Sequence, residues 1–264
     1  MRLGIEAGPH TIAAAVELGV SGVPVTAEAL VRDGVAATLA PLRAQGLSVC
    51  QIGAFGFNPL AIDPVQADVL ERVIPLASAT GCPYIVINGG NFHPSGFGAA
   101  DARNFTDAAL EQVARVLAPF VRQAERCGAR LSIEAYLKTA IGSPEKFLAL
   151  YERLGSEALV VNIDVTSLYD FADLVDPSAK VTHVCTALAG HYGLVHLKEV
   201  ALSEGFHLHA GLAPLGTGAT DWAQVLRLTA PHLPADSWAI LEHVASIEEA
   251  RQSIALLRAA AVAP

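Results

Sequence analysis

Short apolar runs alternate with longer amphipathic stretches along the whole chain. Runs of β-branched and other apolar residues are typical of buried strands, whereas apolar residues three and four positions apart are typical of helices. We interpret eight runs as strands: 2–6, 21–25, 47–53, 84–88, 131–134, 159–164, 194–198 and 238–242. The second of them shows the weakest pattern.

The stretches between these runs carry helical signals. Residues 109–124 and 145–154 show the apolar spacing of amphipathic helices. Ser143 stands where the N-cap of the second helix is expected, because its side chain can accept a hydrogen bond from a free backbone N–H. Glycines follow several helical patterns, where left-handed C-caps are expected. They are Gly46, Gly81, Gly128 and Gly155.

The alternation of strands and helices predicts the fold class α/β. Such a pattern is typical of parallel strands joined by right-handed crossovers. Eight strand–helix units within 264 residues predict a single (β/α)8 TIM barrel, with one domain over residues 1–264. A doubly wound open sheet is the main alternative, and it favours a glycine-rich turn after the first strand. Residues 6–10, E-A-G-P-H, lack the G-x-G-x-x-G pattern of that turn.

Composition narrows the classes of partner. The chain has a formal net charge of −9, whereas a nucleic-acid-binding protein needs a basic face. No uncharged apolar run reaches the roughly 18 residues of a membrane span. We therefore expect neither nucleic-acid nor membrane binding, and the sequence leaves homo-oligomerisation open.

Cysteine usage and the N-terminal residues predict a cytoplasmic protein. The four cysteines include no C-x-x-C pair, which favours reduced core thiols over disulfides or a zinc site. Glu6 lies where a signal peptide would need its apolar stretch, so we expect no leader peptide.

Four polar residues lie at or near the ends of the last four predicted strands. Glu134 ends the fifth strand, Asp164 the sixth and Glu242 the eighth, and His196 lies near the end of the seventh. Reactive groups of a TIM barrel belong at these carboxyl ends. Side chains alternate along a strand, and the parity of the four positions lets all of them face one axial pocket.

The residue types in this set point to a metal site. Burying three carboxylates together is costly unless a cation neutralises them. Three oxygen donors and one imidazole suit Mn²⁺, Mg²⁺ or Co²⁺, whereas a structural zinc site would contain more thiolate or imidazole. We therefore predict one divalent cation per chain, Mn²⁺ before Mg²⁺ or Co²⁺, at Glu134, Asp164, His196 and Glu242.

Each of these residues also has an ordinary structural explanation. Glu134 or Glu242 alone is typical of an ion pair at a strand end, Asp164 of a turn cap and His196 of a hydrogen-bonded core histidine. The joint pattern on four successive strands favours function over these separate explanations. We expect the next residue, His243, to point away from the pocket toward the outer helices.

Further polar residues are candidate substrate contacts. Lys198 shares the side of the seventh strand with the candidate histidine ligand, although a surface ion pair with Glu199 is the alternative. His93, Asn58 and His209 lie in the loops after the fourth, third and seventh strands. For each of these three, a solvated loop position is the alternative.

At these positions the chain resembles the sugar phosphate isomerase/epimerase superfamily of xylose isomerase-like TIM barrels. This superfamily includes ketose 3-epimerases, hydroxypyruvate isomerases and inosose-processing enzymes. The matching segments are, in order, L-S-I-E, N-I-D, V-H-L-K-E, P-L-G-T-G-A-T-D-W and I-L-E-H. The resemblance implies that Glu134, Asp164, His196 and Glu242 bind the metal.

The chain departs from the family pattern at three positions. Ser167 replaces the histidine of a D-x-x-H motif, Ala140 replaces a glutamate of ketose 3-epimerases, and Leu202 replaces their arginine. The metal ligands therefore carry over while the sugar clamp does not, which predicts that free ketoses are poor substrates. The missing histidine also argues against the DNA repair activity of endonuclease IV, which shares the barrel and needs a three-metal cluster.

The resemblance implies a divalent-metal-dependent isomerase or epimerase of carbohydrate metabolism. Its substrate would be a small sugar, keto-sugar or polyol, and the reaction would pass through a metal-stabilised enediolate. Glu134 and Glu242 would act as the acid/base pair on opposite faces of the substrate. A metal-dependent lyase or dehydratase acting on a keto-sugar or an inosose starts with the same deprotonation and stays open. A non-catalytic sugar-binding barrel or accessory subunit is the alternative of another class.

Overall fold

Eight parallel strands close into a barrel in a computed structural model that describes residues 1–93 and 95–261. The strands are β1 (Leu3–Ile5), β2 (Gly22–Thr26), β3 (Ser48–Gly53), β4 (Tyr84–Asn88), β5 (Arg130–Glu134), β6 (Leu159–Ile163), β7 (Tyr192–Leu197) and β10 (Ala239–Leu241). Their order around the barrel is β1-β10-β7-β6-β5-β4-β3-β2. The predicted fold class and all eight predicted strands are confirmed.

Helices follow the barrel strands and cover the outside of the barrel. They are α1 (Thr11–Leu18), α2 (Ala27–Asp33), α3 (Val35–Arg43), α4 (Pro64–Val73), α5 (Ala77–Thr80), α6 (Asp107–Cys127), α7 (Pro144–Leu154), α8 (Ser178–Ala187), α9 (Trp222–Thr229) and α10 (Ile247–Ala261). The N-cap of α7 is Ser143, whose hydroxyl accepts a hydrogen bond from the backbone N–H of Lys146. Gly128 and Gly155 close α6 and α7 in the left-handed conformation, as predicted.

The weak second strand contains a proline that the barrel accommodates with a bulge. Pro24 has no N–H to donate to a neighbouring strand, and the register of β2 against β3 shifts between Val23 and Pro24. Gly22 at the start of β2 lies against the buried ring of Trp238. A Cβ atom at Gly22 would lie 2.6 Å from two ring carbons of Trp238, so only glycine fits there.

A two-stranded antiparallel hairpin follows β7, where the sequence predicted only a long loop. It consists of β8 (Glu199–Leu202) and β9 (Ala210–Ala213). In this hairpin Val200 pairs with Leu212 across the two strands. The hairpin stands above the carboxyl end of the barrel, because it directly follows the end of β7.

The barrel register brings the carboxyl ends of neighbouring strands to a common level. Asn88 pairs with Glu134, which in turn pairs with Asn162, and His196 pairs with Ile240. Side chains at these positions therefore lie near one another at one end of the barrel.

Two further expectations concern the membrane and the thiols. Within residues 1–93 and 95–261, no helix has the length and the apolar composition needed to cross a membrane. Cys50, Cys82, Cys127 and Cys185 are all free thiols, and all but Cys127 are buried.

Candidate metal and active site

The four predicted ligands meet at the carboxyl end of the barrel. Each of Glu134, Asp164, His196 and Glu242 offers one ligand atom, and these atoms all lie within 4.8 Å of one another. Glu134 is the last residue of β5, His196 lies in β7, and the other two directly follow β6 and β10. The strand ends thus place three carboxylates and one imidazole around a single point.

His196 is held by one ring nitrogen and presents the other to a carboxylate. Its Nε2 atom lies 2.7 Å from Oε1 of Gln51, a buried residue of β3. Because an amide oxygen can only accept, this contact places a proton on Nε2 and leaves a lone pair on Nδ1. Nδ1 lies 2.6 Å from Oε1 of Glu242, yet neither atom has a hydrogen-bond partner among the described residues.

This pair of atoms fits a cation between them. In the neutral imidazole two lone pairs would face each other at this distance and repel, and buried polar atoms without partners are rare in folded proteins. Burial acts to lower the pKa of His196, but the surrounding carboxylates outweigh it and raise that pKa, with Glu242 contributing most among them. The site therefore favours positive charge beside Nδ1, which either a proton on the imidazole or a divalent cation can supply.

Asp164 is fixed by the turn that follows β6. Its Oδ1 atom accepts hydrogen bonds from the hydroxyl of Thr166 at 3.0 Å and from the backbone N–H of Ser167 at 3.2 Å. Its Oδ2 atom accepts a hydrogen bond of 2.8 Å from the hydroxyl of Ser167. Ser167, which replaces the histidine of the D-x-x-H motif, thus orients Asp164 by hydrogen bonding.

Lys198 is the positive counter-charge of the cluster. Its ammonium forms an ion pair with Asp164 and lies 3.4 Å from Glu134 and 3.7 Å from Glu242. Burial alone would lower the pKa of Lys198, but the three carboxylates together raise it, so the ammonium stays charged. Three carboxylates and one ammonium leave two net negative charges, the number that a divalent cation neutralises.

The two glutamates have different electrostatic surroundings. Burial and the nearby carboxylates raise the pKa of Glu134 despite the opposing effect of Lys198. Burial also acts to raise the pKa of Glu242, but His196 and Lys198 outweigh it and lower that pKa. These directions describe the cluster without a cation.

A cavity of about 1140 Å³ opens above the cluster. Its floor includes Glu134, Gln51, Lys198 and Glu242, so two of the four candidate ligands, both glutamates, are accessible to a bound molecule. Loops after β1, β3, β5 and β6 and the β8–β9 hairpin form its walls. A substrate therefore reaches the cluster from the carboxyl end of the barrel.

The structure does not bring the other three candidate contacts to this cavity. Asn58 is buried and braces two loops, since its amide donates to Asn91 O and accepts from Asn91 N. The Nδ1 atom of His93 lies 2.7 Å from the hydroxyl of Ser95 in the same loop. His209 is exposed and directly precedes β9. None of Asn58, His93 and His209 is among the described lining residues.

The expected orientation of His243 is wrong. Its backbone has a positive φ of 56°, in the left-handed region, because β10 has already ended at Leu241. The alternation of a strand therefore no longer applies, and the side chain of His243 lines the cavity. Its Nε2 atom lies 3.8 Å from Oε2 of Glu242.

Sequence reasoning missed two residues that support the site. Gln51 is a polar residue inside an apolar strand, and that pattern was the signal that could have revealed it. Glu199 is buried and does not pair with Lys198 at the surface. Its carboxylate accepts hydrogen bonds from Thr220 Oγ1 and Trp222 Nε1, both at 2.9 Å, and from the backbone N–H of Gly216 at 3.2 Å. Glu199 therefore anchors the P-L-G-T-G-A-T-D-W segment to the end of β7.

Solved structures with the same architecture cover nearly the whole chain. A xylose isomerase-like TIM barrel protein from Mycobacterium smegmatis, in complex with magnesium, is 18% identical with a TM-score of 0.72, over 95% of this chain and 87% of that chain. The probable 3-DHS dehydratase AsbF from Bacillus anthracis is 14% identical with a TM-score of 0.70, over 97% and 98%. The 3-keto-D-glucoside 4-epimerase YcjR from E. coli, in its apo form, is 14% identical with a TM-score of 0.68, over 98% and 99%. At these identities the likeness shows the fold alone.

The sequence itself identifies the family. A search of curated proteins finds no match. The family model described as "Xylose isomerase-like TIM barrel" matches residues 12–260, which is most of the chain. The chain therefore belongs to the xylose isomerase-like TIM barrel family.

Proposed function

We propose that this protein is a divalent-metal-dependent isomerase or epimerase that acts on a small sugar, keto-sugar or polyol. One observation carries the proposal. Nδ1 of His196 and Oε1 of Glu242 lie 2.6 Å apart inside a cluster with Glu134 and Asp164, and the two glutamates of this cluster line a large cavity. Such a cluster is costly to bury without a cation.

The donor set favours a hard or intermediate divalent cation. Three carboxylates and one imidazole suit Mn²⁺, Mg²⁺ or Co²⁺, and we propose one Mn²⁺ per chain. The M. smegmatis relative was solved with magnesium, which supports a divalent cation without deciding which one this chain prefers. Gln51 supports the assignment, because metal-binding histidines typically donate their other N–H to a neighbouring group.

The proposed reaction is proton transfer next to a carbonyl group. When bound, the cation would polarise the carbonyl and stabilise negative charge that develops on the substrate oxygens. Glu134 and Glu242 approach from strands on different sides of the cluster, so one can take the proton and the other can return it. Lys198 can donate a hydrogen bond to a substrate oxygen. Placement of an acid and a base typically contributes about 10² to 10⁴ in rate.

The fate of the deprotonated substrate decides the reaction type. Return of the proton to the other face is epimerisation, return to the adjacent carbon is isomerisation, and loss of a neighbouring group is elimination. Relatives of the same fold include a 3-keto-D-glucoside 4-epimerase and a probable 3-DHS dehydratase, so a lyase remains the alternative within this chemistry. Ala140 and Leu202 replace the sugar-clamping side chains of the ketose 3-epimerases. Keto-sugars such as 3-keto-glucosides are therefore better candidate substrates than free ketoses.

Exchange of carbon-bound hydrogen with solvent tests the proposal. The Mn²⁺-loaded protein is incubated in D₂O with ketohexoses, inososes, 3-keto-glucosides and hydroxypyruvate, and NMR follows both exchange and product. We expect exchange on a keto-sugar and its loss in Glu242→Gln. A protein with bound Mn²⁺ that neither exchanges nor converts any of these compounds would contradict the proposed function.

One observation favours a non-catalytic sugar-binding barrel or an accessory subunit. Lys198 already contacts all three carboxylates, and a binding protein can keep that arrangement without any cation. Metal analysis of the purified protein separates the two functions. We expect close to one Mn²⁺, Mg²⁺ or Co²⁺ per chain, and the absence of any bound divalent cation would favour the binding protein.

The net charge and the cysteines support the proposed class of partner and the proposed cellular location. The net charge of −9 disfavours nucleic acid as a partner. The four free thiols favour a reducing compartment, and we propose the cytoplasm.

A further inference from the structure

The cavity is larger than a small sugar requires. Its volume of about 1140 Å³ exceeds the range of about 300 to 1,000 Å³ that is typical of sites for drug-sized ligands. A free hexose bound at the cluster would leave most of this space to water. The excess space lies toward the mouth, because the candidate metal ligands occupy the floor.

Apolar side chains from several loops line the outer part of the cavity. Ile12 comes from the α1 segment after β1, Phe55 from the loop after β3, Leu137 from the loop after β5 and Leu212 from β9. Ile12 and Leu137 are each 37% exposed, and Leu212 is 59% exposed. Large exposed apolar side chains that converge on one opening typically mark a binding surface.

The β8–β9 hairpin separates a cavity face from a solvent face. Val200 and Leu212 pair across the hairpin, and both line the cavity. Leu208, in the turn of the same hairpin, is 69% exposed and is not among the described lining residues. Leu212 and Leu208 are therefore both well exposed, but of the two only Leu212 is among the described residues that line the cavity.

The cavity has a polar floor and an apolar mouth, which suit two chemically different parts of one ligand. The floor carries the carboxylates of Glu134 and Glu242 together with Gln51 and Lys198, which suit an oxygen-rich reacting group. The mouth carries Ile12, Phe55 and Leu137, which suit a group without polar atoms. A free sugar carries polar oxygens on nearly every carbon and would leave the mouth poorly matched.

We propose that the substrate, given the proposed function, is a keto-sugar joined to an apolar aglycone of at least aromatic-ring size. The keto-sugar reaches the cluster, and the aglycone packs against Ile12, Phe55, Leu137 and Leu212. The aglycone removes these side chains from water, so it contributes to binding at the mouth without taking part in the proton transfer.

The test compares two probes that share one reacting group. Mn²⁺-loaded protein is given 3-keto-glucose or phenyl 3-keto-β-glucoside in D₂O, and kcat/KM for proton exchange is measured for each. We expect the phenyl compound to be favoured at least about tenfold. Leu212→Asn should reduce this preference by at least about fivefold, whereas the matched control Leu208→Asn should keep it.

A second measurement separates binding from catalysis. Phenyl β-glucoside has no carbonyl group, and its affinity for the Mn²⁺-loaded protein is measured by calorimetry beside that of methyl β-glucoside. We expect tighter binding of the phenyl compound, and Leu212→Asn but not Leu208→Asn should weaken it.

Each failure has its own signature. Equal kcat/KM for both keto compounds, unchanged by Leu212→Asn, would overturn the aglycone site and leave the proposed function standing. Absence of exchange with both compounds would overturn the keto-sugar part of this substrate, and the proposed function itself would fail only if ketohexoses, inososes and hydroxypyruvate also showed neither exchange nor product. The calorimetry would then decide on the apolar site alone. A dimer that Leu212→Asn dissociates, without any phenyl preference, would instead show that the apolar mouth contacts a second copy of this chain.

Discussion

Nδ1 of His196 lies 2.6 Å from Oε1 of Glu242, and neither atom has a hydrogen-bond partner among the described residues. The opposite ring nitrogen lies 2.7 Å from Gln51 Oε1, so the imidazole is held with Nδ1 directed at a carboxylate. This relationship connects β3, β7 and the end of β10. It makes positive charge beside Nδ1 favourable.

Gln51 is expected to orient His196 for metal binding. Gln51→Leu removes the acceptor for the Nε2 proton, and Mn²⁺ affinity should fall about 10- to 100-fold, the usual effect of losing such a support. Gln51→Glu keeps an acceptor oxygen and should retain most of the affinity. Calorimetric titration measures both, and equal losses in the two variants would show that Gln51 acts only through packing.

His196 is expected to make Mn²⁺ binding depend on pH. The pKa of His196 is raised above its ordinary value of about 6.5. A proton therefore still competes with the cation for Nδ1 at pH values above that ordinary value. Affinity should therefore increase as the pH rises through that raised pKa, with release of a proton on binding. His196→Ala should weaken Mn²⁺ binding more than about tenfold and remove most of the pH dependence. An unchanged affinity would assign His196 to the core alone.

Lys198 is expected to compete with the cation for the carboxylates. Lys198→Met removes a positive charge beside three buried carboxylates, so the metal-free protein should lose about 3 kcal/mol of unfolding free energy. The same change removes repulsion of a bound cation and should raise Mn²⁺ affinity at least about tenfold. Lys146→Met, which removes an ion pair of Lys146 with Asp107 at the surface, is the control. Weaker Mn²⁺ binding in Lys198→Met would contradict this account.

Glu242 is expected to be required for proton transfer. Glu242→Gln keeps the shape of the side chain but cannot accept the substrate proton, and the exchange rate should fall by at least about 10². Circular dichroism should show the wild-type fold. Wild-type exchange rates together with wild-type metal content would exclude Glu242 from the reaction.

Glu199 is expected to stabilise the segment after the hairpin. Glu199→Ala leaves Thr220, Trp222 and the N–H of Gly216 without their acceptor. Loss of hydrogen bonds to a buried carboxylate should lower the free energy of unfolding by about 3 kcal/mol. Urea denaturation measures this, with Glu204→Ala as the control at an exposed glutamate of the same hairpin. Equal stability of the two variants would show that the three bonds contribute little.

The sequence by itself predicted the strands and the residues at their ends. Apolar runs and helical spacing are local patterns, and the barrel follows from their alternation because parallel strands need helical crossovers. Glu134, Asp164, His196 and Glu242 were found because strand ends and side-chain parity can be read along the chain. Even the weak second strand formed, since a bulge accommodates Pro24.

Only the tertiary structure decided which side chains support the cluster. Gln51 and His196 are 145 positions apart, and their contact exists because the barrel closes and sets the register of β3 and β7. The orientation of His243 depends on a left-handed backbone after β10, and the hairpin that carries Leu212 forms where the sequence shows no strong strand pattern. These contacts join distant segments, so no local pattern encodes them. The geometry of the closed barrel determines them.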